Sequence, residues 1–376
     1  QQAGGQARLK GISGLIQRWA FTEDGFRERL AQFWADHFTA RGKTGLLKMA
    51  AGPYRESANR ANLSGTFADL LSAAVTHPLM LHYLDQAASA GPGSKAAARS
   101  TRLSGLNENL AREVLELHTL GVDGPYTQGD VRQLAELFTG LSAKLADGFV
   151  FRKDFAEPGS ETVLGKTYAA EAGLEPVLAA LRDLAAHPAT AEHIARKLAI
   201  HFVSDRPDPA LVGHVAEHYR SSGGELMAVY GALLEHPAAW QPALENVKPP
   251  FDFVASAIRA LNVPHTRLKA TRPRDVQRGI MLPLRLMGQD WENPAGPDGW
   301  PEDDRHWITP QGLAARMGWA MAAPSQLLVQ LPDPESFAQA SLGAYADQRV
   351  RFAARSAETR AEAAGLVLSS PAFQRR

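Results

Sequence analysis

The chain has 376 residues, is 45% apolar and 21% charged, and sets forty basic side chains against forty acidic ones. This is the composition of an ordinary soluble globular protein, and its zero net charge argues against the basic face of a nucleic-acid binder or a polybasic membrane-surface protein. The absence of cysteine excludes disulfides, thiolate metal sites and thiol nucleophiles together. No apolar run approaches the ~18 residues of a membrane span, and the polar opening QQAGGQARLK carries no signal-peptide pattern.

Helical periodicity runs through the sequence. Phe26, Leu30, Phe33, Trp34 and His37–Phe38 recur at three- and four-residue steps and predict a helix with one aromatic face. Leu63, Phe67, Leu70, Leu71 and Ala74 predict the next; Leu110, Val114 and Leu117 a third; Val131, Leu134 and Phe138 a fourth. Phe149–Arg152 and Thr162–Leu164, separated by Glu157-Pro158-Gly159-Ser160, read as the two strands of one hairpin. Further helices are expected near 173–186, 189–203, 209–221, 225–235, 250–262, 273–288, 310–322 and 359–369. The expected fold is mainly α, an irregular multi-helix orthogonal bundle with one small β-hairpin. It divides into a helical region 1–145, a connector 146–170 and a helical region 171–376, together one continuous globule.

A corner recurs at His77-Pro78, His187-Pro188, His236-Pro237 and Ser370-Pro371. Proline ends one helix and suits the first turn of the next, and the histidines are expected to satisfy carbonyls at the preceding C-terminus. Two long loops stand out, Ser89–Leu106 and Gln289–Thr309; such loops in compact proteins are commonly functional. The second alternates Trp291, Trp300 and Trp307 with Asp290, Asp298, Asp303 and Asp304. That pattern suits sugar recognition, and equally suits tryptophans that anchor the loop.

The run from Asn107 to Gly140 joins two amphipathic helices by a tight turn crowded with polar groups. Its core, NENLAREVLELHTLGVDGPYTQGDV, together with FWADHF (33–38), HPLMLHYLD (77–85), HPATAEHIARKLAIHFVSDRPDP (187–209), KPPFDFVASAIRAL (248–261), Gly-Trp-Pro (299–301) and the closing SSPAFQRR, resembles the domain-of-unknown-function 1800 family of bacterial proteins. The resemblance implies a mostly helical fold and, often, an exported protein encoded near sulfatase-like partners, hence a periplasmic or secreted location, with a cytoplasmic one still open. It implies no reaction. The chain departs from the family pattern at Asp36 and Gln86, where Asn is usual, at Leu141, where Trp is usual, and at Ala156-Glu157, where a His-acid pair is usual. The family's N-terminal helical segment is expected to be missing here.

On a helical wheel Asn109, Glu113 and Glu116 share one flank, and His118 lies about 140° from Glu113, which rules out a His-Glu-x-x-His zinc site. Arg112 can pair with Glu108 and Glu116 at four-residue spacing. Thr127 and Asp130 read as a capping box, and Tyr126 is expected to turn its hydroxyl into the elbow. Asp36 points about 100° from His37, so Asp85 is the candidate to meet His37 or Arg112. There is no nucleophile elbow, P-loop or dinucleotide turn.

Two functions follow. One is a helical binding or accessory protein for an envelope or extracellular polymer or a partner enzyme, with Arg112, Glu116, His118, Tyr126, Trp291, Trp300 and Trp307 as ligand contacts. The other is a hydrolase-like or metal-assisted enzyme, with Glu113 as acid/base and His37, Asp85 and Asn109 positioning substrate or ion. The sequence assigns no cofactor, metal or oligomeric state.

Overall fold

The computed structural model describes residues 2–99, 105–144, 147–168, 173–269 and 271–376. Helices dominate, and their starts are fixed by local chemistry. Thr66 with Asp69 and Thr127 with Asp130 close capping boxes. At the three His-Pro corners the imidazole Nδ1 accepts the backbone N–H two residues on, at 3.1 to 3.2 Å. The histidines therefore cap the following helix rather than the preceding carbonyls. Proline next to each cap holds the chain extended there, which points the ring forward.

The strand pairing also differs from expectation. Among the described residues there are two small antiparallel pairs: β1 (Leu141–Lys144) with β2 (Gly148–Phe151), and β3 (Glu161–Val163) with β4 (Lys166–Tyr168). Leu141 opposes Phe151 and Glu161 opposes Tyr168. Leu164 and Gly165, at φ 50 and 77, form the two-residue turn between β3 and β4, the twist that tight hairpins favour. Leu164, read as a strand residue from its apolarity, is the first turn residue instead. Asp130 anchors the turn by accepting the Leu164 N–H at 2.7 Å.

Among the described residues two large apolar cores form, beside a small cluster of Ala90, Ala96 and Phe155. The first gathers Leu30, Phe33, Trp34, Phe38, Phe67 and their neighbours through Leu233. Trp34, fully enclosed, donates its indole N–H to Tyr230 at 2.6 Å. The second takes Ile12, Leu15 and Ile16 from the Gln2–Phe21 helix and packs them with Phe251, Val254, Ile258 and residues through Phe373. Each such side chain contributes about 1.5–3 kcal/mol on full burial. Arg259 ties the first helix down by donating to the carbonyls of Trp19, Ala20 and Thr22. No helix among the described residues is long and apolar enough to cross a membrane.

Candidate functional site

The elbow helix starts regularly at Asn109–Glu113 and then widens into a π-helical turn, Val114–Thr119. Leu120 N–H reaches back five residues to Leu115, at 2.9 Å, and the Thr119 hydroxyl bonds the Val114 carbonyl at 2.6 Å. The extra residue per turn swings His118 inward, to 1% exposure, where neither ring nitrogen has a partner among the described residues. Wide turns of this kind recur at functional sites.

His118 lies 5.9 Å, ring centre to ring centre, from His37, and His193 lies 6.3 Å from His37. His37 Nε2 contacts the His118 carbonyl at 3.2 Å, and His193 Nε2 contacts that of Leu117 at 3.0 Å. Burial holds all three rings neutral: His118 is pushed down to about 3, His193 to about 4, and His37 well below its usual value, with the charge of Lys197 acting in the same direction on each. Despite their proximity, no group of three or more His, Asp or Glu among the described residues is arranged to hold a metal ion.

On the outer side of the elbow Arg112 bridges Glu108 at 3.1 Å and Glu116 at 3.5 Å, and Gln128 bonds Glu108 at 2.8 Å. Asn109 is exposed, and the Tyr126 hydroxyl donates to the Val122 carbonyl at 3.1 Å, a contact local to the turn. Glu113 is half-buried and raised to about 7 by that burial, then by Glu116 and Asp298. Asp85 does not meet His37 or Arg112. It sits at φ 56 with its carboxylate on Lys43, 2.6 Å away and exposed. The left-handed backbone there aims the side chain outward.

The tryptophan loop divides. Trp291 is buried, stacked on Phe251 at 4.3 Å with the Arg55 guanidinium 5.5 Å from its ring. Trp307 is buried and donates to the Pro301 carbonyl at 3.1 Å. Trp300 is half-buried, and its backbone N–H donates to both Asp36 carboxylate oxygens at 3.1 Å. Gly299, at φ 80, makes this approach possible, since a β-carbon there would lie 2.7 Å from the Asp36 carbonyl oxygen.

Asp36 opens onto a charged centre at the seam between the two cores. The Pro188–Phe202 helix places His193, Lys197 and His201 one turn apart along one face. His201 Nδ1 pairs with Glu302 at 2.8 Å. Arg376 donates to the His201 carbonyl at 3.2 Å and forms a buried ion pair with Asp252. Lys197 is half-buried and makes no hydrogen bond or ion pair among the described residues, although Glu302, Asp36 and Asp298 all act on its charge. Burial pulls the Lys197 ammonium down. It pushes Asp36 up to about 8, with Glu302 adding to the rise and the Trp300 N–H and Lys197 opposing it. Asp298, exposed, acts on Asp36, Lys197, Glu113 and Tyr83 alike, so it links the seam to the elbow.

A cleft of about 50 Å³ lies beside Asp36, between Gln32, Arg55, Glu292 and Trp300. It has room for waters or the tip of a ligand. A far larger open depression, about 930 Å³, lies elsewhere, between residues 261–267 and 327–332. It has none of the seam's paired charges.

Sequence reasoning reached His37, His118, Glu113 and Trp300, but gave Asp36 no partner and passed over Lys197, His201, Glu302, Asp252 and Arg376. The available signal was the His-x₃-Lys-x₃-His spacing in HIARKLAIHF, which sets three titratable side chains on one face of a helix. Over residues 2–375 the sequence matches the family described as "Protein of unknown function (DUF1800)", and the chain belongs to that family. Neither a curated protein nor a solved structure matches it.

Proposed function

We propose that this protein, a member of a family with no assigned reaction, is a hydrolase-like acid–base catalyst centred on Asp36, Lys197, Glu302 and His201. The observation that carries this reading is Lys197, half-buried, its charge felt by the acidic side chains Glu302, Asp36 and Asp298, without a hydrogen bond or ion pair to any described residue. An ammonium so placed is free to take an oxygen of an incoming polar or anionic group. Asp36 and Glu113, raised to about 8 and about 7, carry protons near neutral pH, as a general acid requires. Glu302, which its burial would raise, is held below its usual value by the His201 hydrogen bond and the charges about it; it balances the lysine and holds the imidazole. Environments that push neighbouring titratable groups in opposite directions are typical of working sites. A panel of chromogenic esters, phosphates and glycosides tests the reading. Turnover that falls at least a hundredfold in Lys197→Met and Asp36→Asn supports it; turnover indifferent to both substitutions, or none with any substrate, removes it.

A second reading, a binding or accessory role toward a polymer or partner enzyme, is favoured by one observation remote from the seam. The helix Pro310–Leu327 has an outer face without a single charged side chain. Sugar stacking on the tryptophan loop has less to recommend it, since Trp291 and Trp307 are enclosed. Pull-down with immobilised polysaccharides, wild type against Trp300→Ala, separates polymer binding from a role toward a protein.

A further inference from the structure

The helix Pro310–Leu327 lies on the surface, yet its one charged residue, Arg316, is turned inward onto Gln374 and the Lys248 carbonyl. Surface helices normally set charge outward. Here the outer side carries Leu313 (37% exposed), Met317 (55%) and Met321 (38%) as a ridge, with Ala314, Gly318 and Ala322 exposed beside it.

Residues 265–269 and 271–287 run antiparallel along this helix. Arg267 donates to the Gln326 carbonyl at 2.7 Å, Trp319 donates to that of Gly279 at 2.9 Å, and the Met287 carbonyl closes on Gly312. At 100° per residue, the small residues fall between the Leu313–Met321 ridge and the side occupied by this segment, which exposes Leu282 (46%) and Leu286 (58%). The result is a trough with two apolar walls and a floor of small residues. At the helix's C-terminal end it meets the open depression of about 930 Å³ beside Arg267 and Val329.

The charge on this face is one-sided. In a chain of zero net charge, residues 265–287 hold six basic side chains, all exposed, against one acid, Asp275. Asp275 is already paired with Arg272 and Arg274. Arg278 and Arg285 share the wall with Leu282 and Leu286 and make no ion pair among the described residues.

We propose that this trough is a docking site for an amphipathic, acidic helix of a partner protein. Apolar side chains at three- and four-residue steps would enter between the ridges, and its carboxylates would meet Arg278 and Arg285. The small floor lets a helix backbone approach closely, which a flat lipid surface does not require. This inference is independent of the seam chemistry and survives the loss of that reading.

The test is selection from a displayed library of 14-residue helical peptides with apolar residues fixed at i, i+4 and i+7 and the other positions randomised. Selection on the full chain is expected to enrich Asp and Glu. It is expected to weaken at least tenfold in Gly318→Trp, where the new side chain enters open space, and in Met317→Glu. In Arg278→Glu/Arg285→Glu, enrichment should turn to Lys and Arg. No enrichment, enrichment indifferent to the arginine reversal, or enrichment surviving Gly318→Trp overturns the proposal. So does sedimentation with phosphatidylglycerol vesicles that depends on Met317, which makes the face a lipid contact, or a self-association lost in Gly318→Trp, which makes it a contact between copies.

Discussion

Two glycines show how differently one residue type can be used. Gly299 has φ 80, and a β-carbon on it would stand 2.7 Å from the Asp36 carbonyl oxygen and 2.8 Å from its carboxyl group. Gly299→Ala is therefore expected to cost roughly 2 kcal/mol or more, seen as a lower denaturation midpoint. Gly318 lies in a helix with open space around it, so Gly318→Ala is expected to stabilise by about 0.5–1 kcal/mol. Asp36 supplies a pH test. The folded chain keeps its proton up to about pH 8, whereas an unfolded aspartate loses it near pH 4. Between these values the folded state binds the extra proton. The associated stability is fully present below the unfolded pKa and is lost as pH rises through about 8, by no more than about 1.4 kcal/mol per pH unit. Asp36→Asn should flatten that slope in urea titrations from pH 5 to 9; an unchanged slope would assign it to another group.

At the scale of elements, the Gln128–Leu137 helix and its cap were legible because a capping box is local: Thr127 and Asp130 are three residues apart. Thr127→Ala should cost about 1 kcal/mol. Asp130→Ala should cost more, because Asp130 also holds the turn between β3 and β4 through Leu164; thermal melts of the two variants rank them. Most helices between residues 173 and 322 were legible from apolar periodicity and proline starts, but Pro334–Leu342 and Gln348–Ser356 were not expected. The widened turn at Val114–Thr119 was not. A wheel drawn at 100° per residue places His118 on a flank, and only tertiary packing decides that the helix takes an extra residue there. Strand partners were equally hidden, because β2 pairs backward with β1 while the apolar pattern of 149–151 suits a partner on either side. The seam is the extreme case. Asp36, Lys197, Glu302 and Arg376 come from four distant stretches, and spacing within a stretch says nothing of which stretches meet.

For the whole molecule, the ionic contacts are of unequal worth. The Arg376–Asp252 pair is almost fully enclosed, with side-chain exposures of 9% and 8%, so Arg376→Met leaves a buried carboxylate behind. It should cost about 3–5 kcal/mol, read as a lower melting temperature in calorimetry. Arg112→Ala, at the partly exposed elbow ladder, should move stability by no more than about 1 kcal/mol. The Gln2–Phe21 helix carries a consequence of its own. Its seat lies among residues 251–373, so a ribosome finishes nearly the entire polypeptide before that seat exists. Until then Ile12, Leu15 and Ile16 stand in water, an exposed early segment for a chaperone to shield, while the apolar core of residues 30–233 takes no buried side chain from later in the chain.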